Sequence, residues 1–472
     1  MKPNPSNPRL LSVREGQASR REFLKRAGAL SAAGVAAPWA LNLAAIGEAA
    51  AANATGYKAL VCVFLYGGND YANTLVPYDA ANHAAYLAQR TAIATARDAL
   101  AGTVLAPTTA LADGRQYALA PELAPLVPIF NAGQMAVMLN VGTLVQPTSK
   151  LEYTNKSAPL PPKLFSHNDQ QSVWQSSAPE GSTSGWGGRM GDLFAAGNGN
   201  ATFTCVSAAG NAVYLSGQSA VQYQVTAGGS VPLAALKTPL FGSQACSDAL
   251  RTLVTAPRTH LFEAEHTRVM KRSIEADAQL TTALAATPAL ATVFPAGNGL
   301  AAQLNMVARM IAARSTLGAK RQVFFVSLGG FDTHDNLLTD HPALMATLGP
   351  ALAAFHAATV EMGVAGNVTA FTASDFGRTL TTNGSGSDHG WGSMHFALGG
   401  AVNGRAFYGA PPVVANNGPD DVGQGRLLPA MAVDQFGATL ATWFGVEAGE
   451  LATVLPNIGR YSTRDLGFMA PG

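Results

Sequence analysis

Cysteine is scarce in this chain: Cys62, Cys205 and Cys246 are the three among 472 residues. That excludes a disulfide-stapled scaffold and leaves room for one bridge, Cys205–Cys246, in an oxidising compartment. Cys62 sits in an apolar run and reads as a small buried hydrophobe. Charge is scarce too, with Asp, Glu, Lys and Arg at 12% and a formal net charge of +1. No concentrated basic surface is available to a nucleic-acid backbone. Nucleotide loops of the G-x-x-x-x-G-K-[ST] or G-x-G-x-x-G type are missing, as is the G-x-S-x-G elbow of serine esterases. After the N-terminal segment no uninterrupted apolar stretch of about 18 residues occurs, so no membrane span is expected in the mature chain. Apolar residues, in contrast, make up 48% of the sequence, enough for a large core in one large or two smaller domains.

The N-terminus carries an address. Ser19-Arg20-Arg21-Glu22-Phe23-Leu24-Lys25 has the order of a twin-arginine export signal, followed by an alanine-rich apolar stretch to about Ile46. Small residues from Glu48 to Ala54 offer A-x-A-type cleavage sites. The apolar stretch is interrupted by Gly28, Gly34, Pro38 and Asn42, which argues against a membrane anchor. The expected mature protein starts near residue 53, has engaged the twin-arginine translocon during export, and is periplasmic or extracellular. With residues 1–52 set aside, 23 basic and 26 acidic residues remain, a net of −3.

Along the mature chain, strand and helix patterns alternate. Lys58–Tyr66 and Met135–Val141 are apolar runs of the kind buried on both faces of a parallel sheet. Similar runs are expected at Thr202–Ser207 and His395–Val402, and ahead of Asp332 and Asp375. Helical patterns cover 80–101, Pro121–Asn131, 258–320 and Pro429–Phe444, with 210–250 irregular. The pattern predicts a single α/β domain from residue 53, a doubly wound, mostly parallel sheet flanked by helices.

Polar chemistry concentrates in one window. Gly329-Gly330-Phe331-Asp332-Thr333-His334-Asp335, Ala373-Ser374-Asp375-Phe376-Gly377-Arg378 and Ser387-Asp388-His389-Gly390-Trp391-Gly392-Ser393-Met394-His395 fall in one window, and five of the nine histidines lie between Asp332 and His395. Open α/β sheets place their ligand sites at the carboxyl ends of strands. Asp70, Asp332 and Asp375 each follow an apolar strand, and three carboxylates pointed into one crevice repel unless a cation joins them. A divalent metal, with zinc, manganese and calcium all open, would draw in His334 and the Asp388-His389 pair. The competing reading gives these residues turn and capping roles. His395, inside a strand, reads equally as a structural residue or as support for a ligand. Arg378 can pair with a substrate anion, small molecule or polymer, or form an internal ion pair. Ser166, at the start of a helix, is the candidate nucleophile and equally an N-cap.

Taken together, Phe64-Leu65-Tyr66-Gly67-Gly68-Asn69-Asp70, Ser166-His167 with Trp174, Gly185-Trp186-Gly187-Gly188-Arg189, Gly330-Phe331-Asp332-Thr333-His334, Ser374-Asp375-Phe376-Gly377-Arg378-Thr379 and Asp388-His389-Gly390-Trp391-Gly392 resemble the domain-of-unknown-function 1501 family. That family is placed in the alkaline phosphatase and sulfatase-like group. The resemblance covers residues 58 to 445 and implies an alkaline-phosphatase-like sandwich with two divalent metal positions. It implies that Asp70 is a first-strand ligand and that Asp332 with His334 belongs to the other position. Here Asp375 is followed by Phe376 where the group has an Asp-His pair, so His389 matches the group's last histidine ligand. The function expected is an exported metal-dependent hydrolase of phosphate or sulfate esters. The alternative is a non-catalytic envelope or secreted binding protein that keeps the fold. A third reading, a carbohydrate-active hydrolase with paired carboxylates, lacks a pair distinct from the metal-like clusters.

Overall fold

The computed structural model describes residues 56–471, so the twin-arginine segment and its cleavage region lie outside the described residues. Ten strands form the main sheet: β1 Lys58–Leu65, β2 Met135–Gly142, β3 Cys205–Ser207, β4 Tyr223–Thr226, β5 Gly229–Ser230, β6 Arg321–Leu328, β7 Val368–Ser374, β8 Ser393–Leu398, β9 Ala406–Tyr408 and β10 Met431–Ala432. Their spatial order is β9-β2-β8-β7-β1-β6-β3-β4-β5, with β10 also beside β2. The longer helices are α1 Ala80–Arg90, α2 His167–Ser176, α3 Trp186–Phe194, α4 Gln244–Thr255, α5 Leu261–Ala286, α6 Gly299–Ala312, α7 Leu337–Glu361 and α8 Val433–Phe444.

β1 shows why the sheet has two covered faces. Its side chains alternate across the pleat, and every one from Ala59 to Leu65 is buried. Ala59, Val61, Val63 and Leu65 join one apolar layer with Leu304 and Val307 of α6 and Met345 and Leu352 of α7. Leu60, Cys62 and Phe64 join a second layer with Trp174 of α2, Trp186 of α3 and Phe436 of α8. A strand that is apolar throughout is what two helical layers around one sheet require. α7 is long and apolar enough to cross a membrane by length and composition, but half of its apolar window is buried in the fold. It is a core helix.

β1 runs parallel to both β6 and β7, in register Lys58 with Arg321 and Leu65 with Ser374. Mostly parallel pairing holds across the sheet, with β8 as an internal exception, antiparallel to β7 and to β2. The connection explains it. Residues 375–392 leave the carboxyl end of β7, carry much of the site and return at the same edge without a crossover helix, so the next strand must run back.

Several local expectations change. The Pro121–Asn131 helix begins as a 3-10 turn over Pro121–Leu126 and becomes α-helical at Val127–Asn131, because Pro125 and Pro128 remove backbone donors. The strand expected from Thr202 starts only at Cys205. The 210–250 stretch holds β4, β5 and most of α4. The Cys205–Cys246 bridge is not formed: all three cysteines are free thiols, with Cys62 and Cys205 buried.

Candidate metal centre

Three loops meet at the carboxyl edge of β1, β6 and β7. The turn after β1 is built on Gly67, whose φ is 114°. A Cβ on Gly67 would stand 2.4 Å from the Asp332 backbone nitrogen, so only glycine lets this turn lie against the loop that carries Asp332. The Gly67 amide also donates to Asp375 Oδ2 at 3.2 Å. The bare-backbone turn therefore joins all three strand ends.

Imidazoles gather around the Asp332 carboxylate. His334 Nε2 lies 3.0 Å and His389 Nε2 3.2 Å from Asp332 Oδ1. His167 Nε2, from the first residue of α2, lies 3.4 Å from Asp332 Oδ2. Each ring is anchored by its other nitrogen. His167 Nδ1 donates to Asp375 Oδ2 at 2.7 Å, His334 Nδ1 to Asp388 Oδ1 at 3.0 Å, and His389 Nδ1 to the Phe165 carbonyl at 2.7 Å. Only a protonated Nδ1 can face those acceptors, which assigns the tautomers and leaves Nε2 of each neutral ring as a lone pair. Three lone pairs thus face one carboxylate, and His334 Nε2 and His389 Nε2 are 2.9 Å apart.

That arrangement is unfavourable by itself and suits a cation. Imidazole anchored through Nδ1–H and turned by Nε2 toward a common point is the standard support for a metal-ligating histidine. Donor atoms at tetrahedral zinc, with bonds of about 2.0–2.1 Å, stand roughly 3.3 Å apart, close to the separations seen here. His167, Asp332 and His389 can each offer one donor atom within 4.8 Å of the others. His167 Nε2 and Asp375 Oδ1 are buried without a hydrogen-bond partner, an omission native structures rarely leave unfilled. His167, Asp332 and His389 fit the donor set of a divalent ion, with His334 Nε2 beside them, 3.0 Å from Asp332 Oδ1.

The electrostatics are mixed: Asp375 favours a protonated His167, a proton that a bound cation would replace, while His389 is pushed toward its neutral form. The hydrogen bond to Asp375 raises the His167 imidazole above its ordinary range, against the lowering effect of burial. Burial lowers His389, and the positive charges of His167 and Arg378 lower it further, which favours its neutral, ligating form. For Asp332, burial works upward, but Arg378, His334 and His167 outweigh it and hold the carboxyl below the usual range. Asp388 is likewise held low overall: burial raises it, and the bonds from Asn383 and His334 lower it more.

Six ligands were expected from the sequence, and the structure sorts them. Asp332, His334 and His389 are in the cluster. Asp375 and Asp388 sit one bond behind it, each orienting an imidazole. Asp375 Oδ2 also accepts from Gln171 at 2.8 Å. Asp70 is elsewhere: fully buried, it pairs with Arg90 at 2.5 Å and accepts from Ser387 Oγ at 2.6 Å and the Asn73 amide at 3.0 Å. An arginine meets the charge that a metal was expected to meet.

Arg378 does not face a ligand either. Its side chain is 0% exposed. Nη1 donates to Asp332 Oδ1 at 2.9 Å and the Gly67 carbonyl at 3.0 Å, while Nε reaches the Ser387 carbonyl at 2.9 Å and Nη2 bonds the same carbonyl. It ties the three loops together. Ser166 precedes α2, but its hydroxyl donates to Asp169 Oδ2 at 3.0 Å and accepts no bond from the helix's backbone N–H groups. His395 lies apart from the cluster, buried against Trp174 and Phe436, and burial lowers its imidazole to about 3. The residue missed in the sequence is His167. The signals were its place beside Ser166 at a helix start and its membership of the family-like Ser166-His167 segment, far in sequence from the histidine window.

Fold and site together define a mixed α/β protein with an imidazole and carboxylate centre at the carboxyl edge of a mostly parallel sheet. The chain belongs to the family described as protein of unknown function DUF1501, whose family model matches residues 57–452. No curated protein matches it. Among solved structures it is similar to a crystal structure of Ps i-CgsB in complex with k-i-k-neocarrahexaose, at 9% identity and a TM-score of 0.34, covering 85% of this chain and 77% of the other. A likeness that distant carries no argument about either chain's activity.

Proposed function

We propose that this chain is an exported, metal-dependent hydrolase of phosphate or sulfate esters, built on an alkaline-phosphatase-like scaffold. The observation that supports it is the convergence of three anchored imidazoles on the Asp332 carboxylate. Imidazole nitrogens with one carboxylate are a donor set for zinc or a similar transition metal rather than for calcium, which takes oxygens. Such an ion would supply a fixed positive charge where an ester anion develops charge during cleavage. The chain's own residues orient the donors: Asp375 holds His167, Asp388 holds His334, and the Phe165 carbonyl holds His389. Ser166 is the attacking group of this reading, its hydroxyl already hydrogen-bonded to the Asp169 carboxylate.

Metal content by mass spectrometry tests the reading. About one equivalent of metal is expected in the purified protein and loss of it in Asp332→Ala and His389→Ala. Ester hydrolysis abolished by Ser166→Ala would assign the nucleophile. Folded wild-type protein without metal would overturn the proposal.

A second reading has its own observation. Arg378 and Arg90, both buried, are engaged by the protein itself, and the Ser166 hydroxyl has an internal partner. A binding protein that retains the fold and a structural metal would need none of them free. Metal present with no turnover of any phosphate or sulfate ester would favour that view.

A further inference from the structure

An ester anion brought to the centre needs a cationic partner, and the arginine that the sequence suggests, Arg378, has its guanidinium bonded to Asp332, Gly67 and Ser387 with no exposure. A different arginine stands beside the cluster. Arg426 lies in the turn Asp421–Leu427, partly exposed. Its Nε donates to the His389 carbonyl at 2.8 Å. Its guanidinium stacks on the Phe165 ring, with the guanidinium carbon 4.7 Å from the ring centroid. Phe165 is the same residue whose carbonyl receives His389 Nδ1, and it holds a φ of 71°, costly for a bulky side chain. One strained aromatic residue thus supports both a centre imidazole and the arginine next to it.

Among the described residues, the Nε bond is the one hydrogen bond of the Arg426 side chain. The two Nη groups carry four N–H donors that the fold leaves without a protein acceptor. A guanidinium whose plane is fixed by stacking and by one bond, and whose remaining fork is unengaged, is preorganised for a tetrahedral oxyanion. Resting on the reading of the centre as an ester hydrolase site, we propose that Arg426 forms its anion subsite and receives the phosphate or sulfate group of the substrate. The neighbouring Lys163, 69% exposed and 3.5 Å from Asp169 Oδ2, is an exposed point charge and not part of the fork.

Isothermal titration with inorganic phosphate and with sulfate tests this, on metal-loaded protein and on protein stripped by a chelator. The proteins compared are wild type, Arg426→Gln, Arg426→Lys and Lys163→Gln, with metal stoichiometry measured in parallel. Arg426→Gln is expected to keep its metal and its melting temperature while losing about tenfold or more in affinity for both anions. Arg426→Lys should recover part of the loss, since a point charge replaces a fork, and Lys163→Gln should lose far less. Wild-type affinity in Arg426→Gln would overturn the assignment, as would an equal loss in Lys163→Gln or no anion binding by the wild type. Loss of metal together with the anion in Arg426→Gln would also overturn it, because Arg426 would then act by holding His389. Metal stoichiometry reads the centre separately: a wild type that takes no metal topples the hydrolase reading, and the anion affinities of the stripped proteins still judge Arg426.

Discussion

At the scale of single residues, the division between donors and their supports makes distinct expectations. Asp388→Asn and Asp375→Asn keep the shape of the carboxylates but weaken the acceptors that hold His334 and His167. Each should lower metal affinity by about 10–100-fold without abolishing binding, whereas Asp332→Ala abolishes it; competition with a fluorescent chelator measures both. Asp70 makes the opposite expectation. Arg90→Met would leave its carboxylate buried and unpaired, costing about 3–5 kcal/mol, and adding Asp70→Asn should recover much of that in urea denaturation. Unchanged stability in Arg90→Met would mean that another cation serves Asp70. Some of this placement was legible in the sequence and some was not. Asp332, His334 and His389 announced themselves by clustering after apolar strands. Nothing in Gly67-Gly68-Asn69-Asp70 indicated that Asp70 would face Arg90, because the pairing depends on how α1 packs. His167 was hidden for the same reason: a residue supplied by a distant helix leaves no local spacing to read.

Elements carry the site by where they end. The three strand ends are held by the turn at Gly67, and that turn makes a paired comparison. Gly67→Ala adds a Cβ 2.4 Å from the Asp332 nitrogen at positive φ, while Gly384, with φ 123°, has open space around its added Cβ. Gly384→Ala should cost about 1 kcal/mol, the conformational part alone. Gly67→Ala should cost about 2–4 kcal/mol and weaken metal binding as the Asp332 loop is displaced. Equal melting temperatures for the two variants would rule out the turn as the joint. Strands β1, β2, β6 and β7 were legible because each is a run rich in apolar and β-branched residues. The reversed direction of β8 was not, since a buried strand reads the same either way and direction is decided by the loop that feeds it.

For the molecule as a whole, the two apolar layers enclose polar groups that must stay uncharged. His341 on α7 is buried, its Nε2 3.2 Å from Thr74 Oγ1, and burial lowers its imidazole to about 4, with Arg90 and Arg378 adding to the effect against Asp70. Unfolded, the same group titrates near 6.5. Between those values the unfolded chain binds a proton that the folded chain excludes. Its contribution to stability is therefore complete above about pH 6.5 and falls by up to about 3 kcal/mol as pH drops to 4. His341→Gln should flatten that part of the stability profile, measured by denaturant unfolding across the window; an unchanged slope would exclude His341 as its source.

The position of β1 has a consequence for how the chain is made. It is the first strand of the sheet to leave the ribosome and it ends at the sheet's centre, yet its two neighbours begin at Arg321 and Val368. For most of synthesis an eight-residue apolar strand has neither edge covered, a state that invites pairing with other chains and slows closure of the sheet. Asp332 and the three imidazoles around it are likewise scattered, from His167 to His389. The cluster therefore cannot assemble until nearly the whole domain has emerged, long after β1 has left the ribosome.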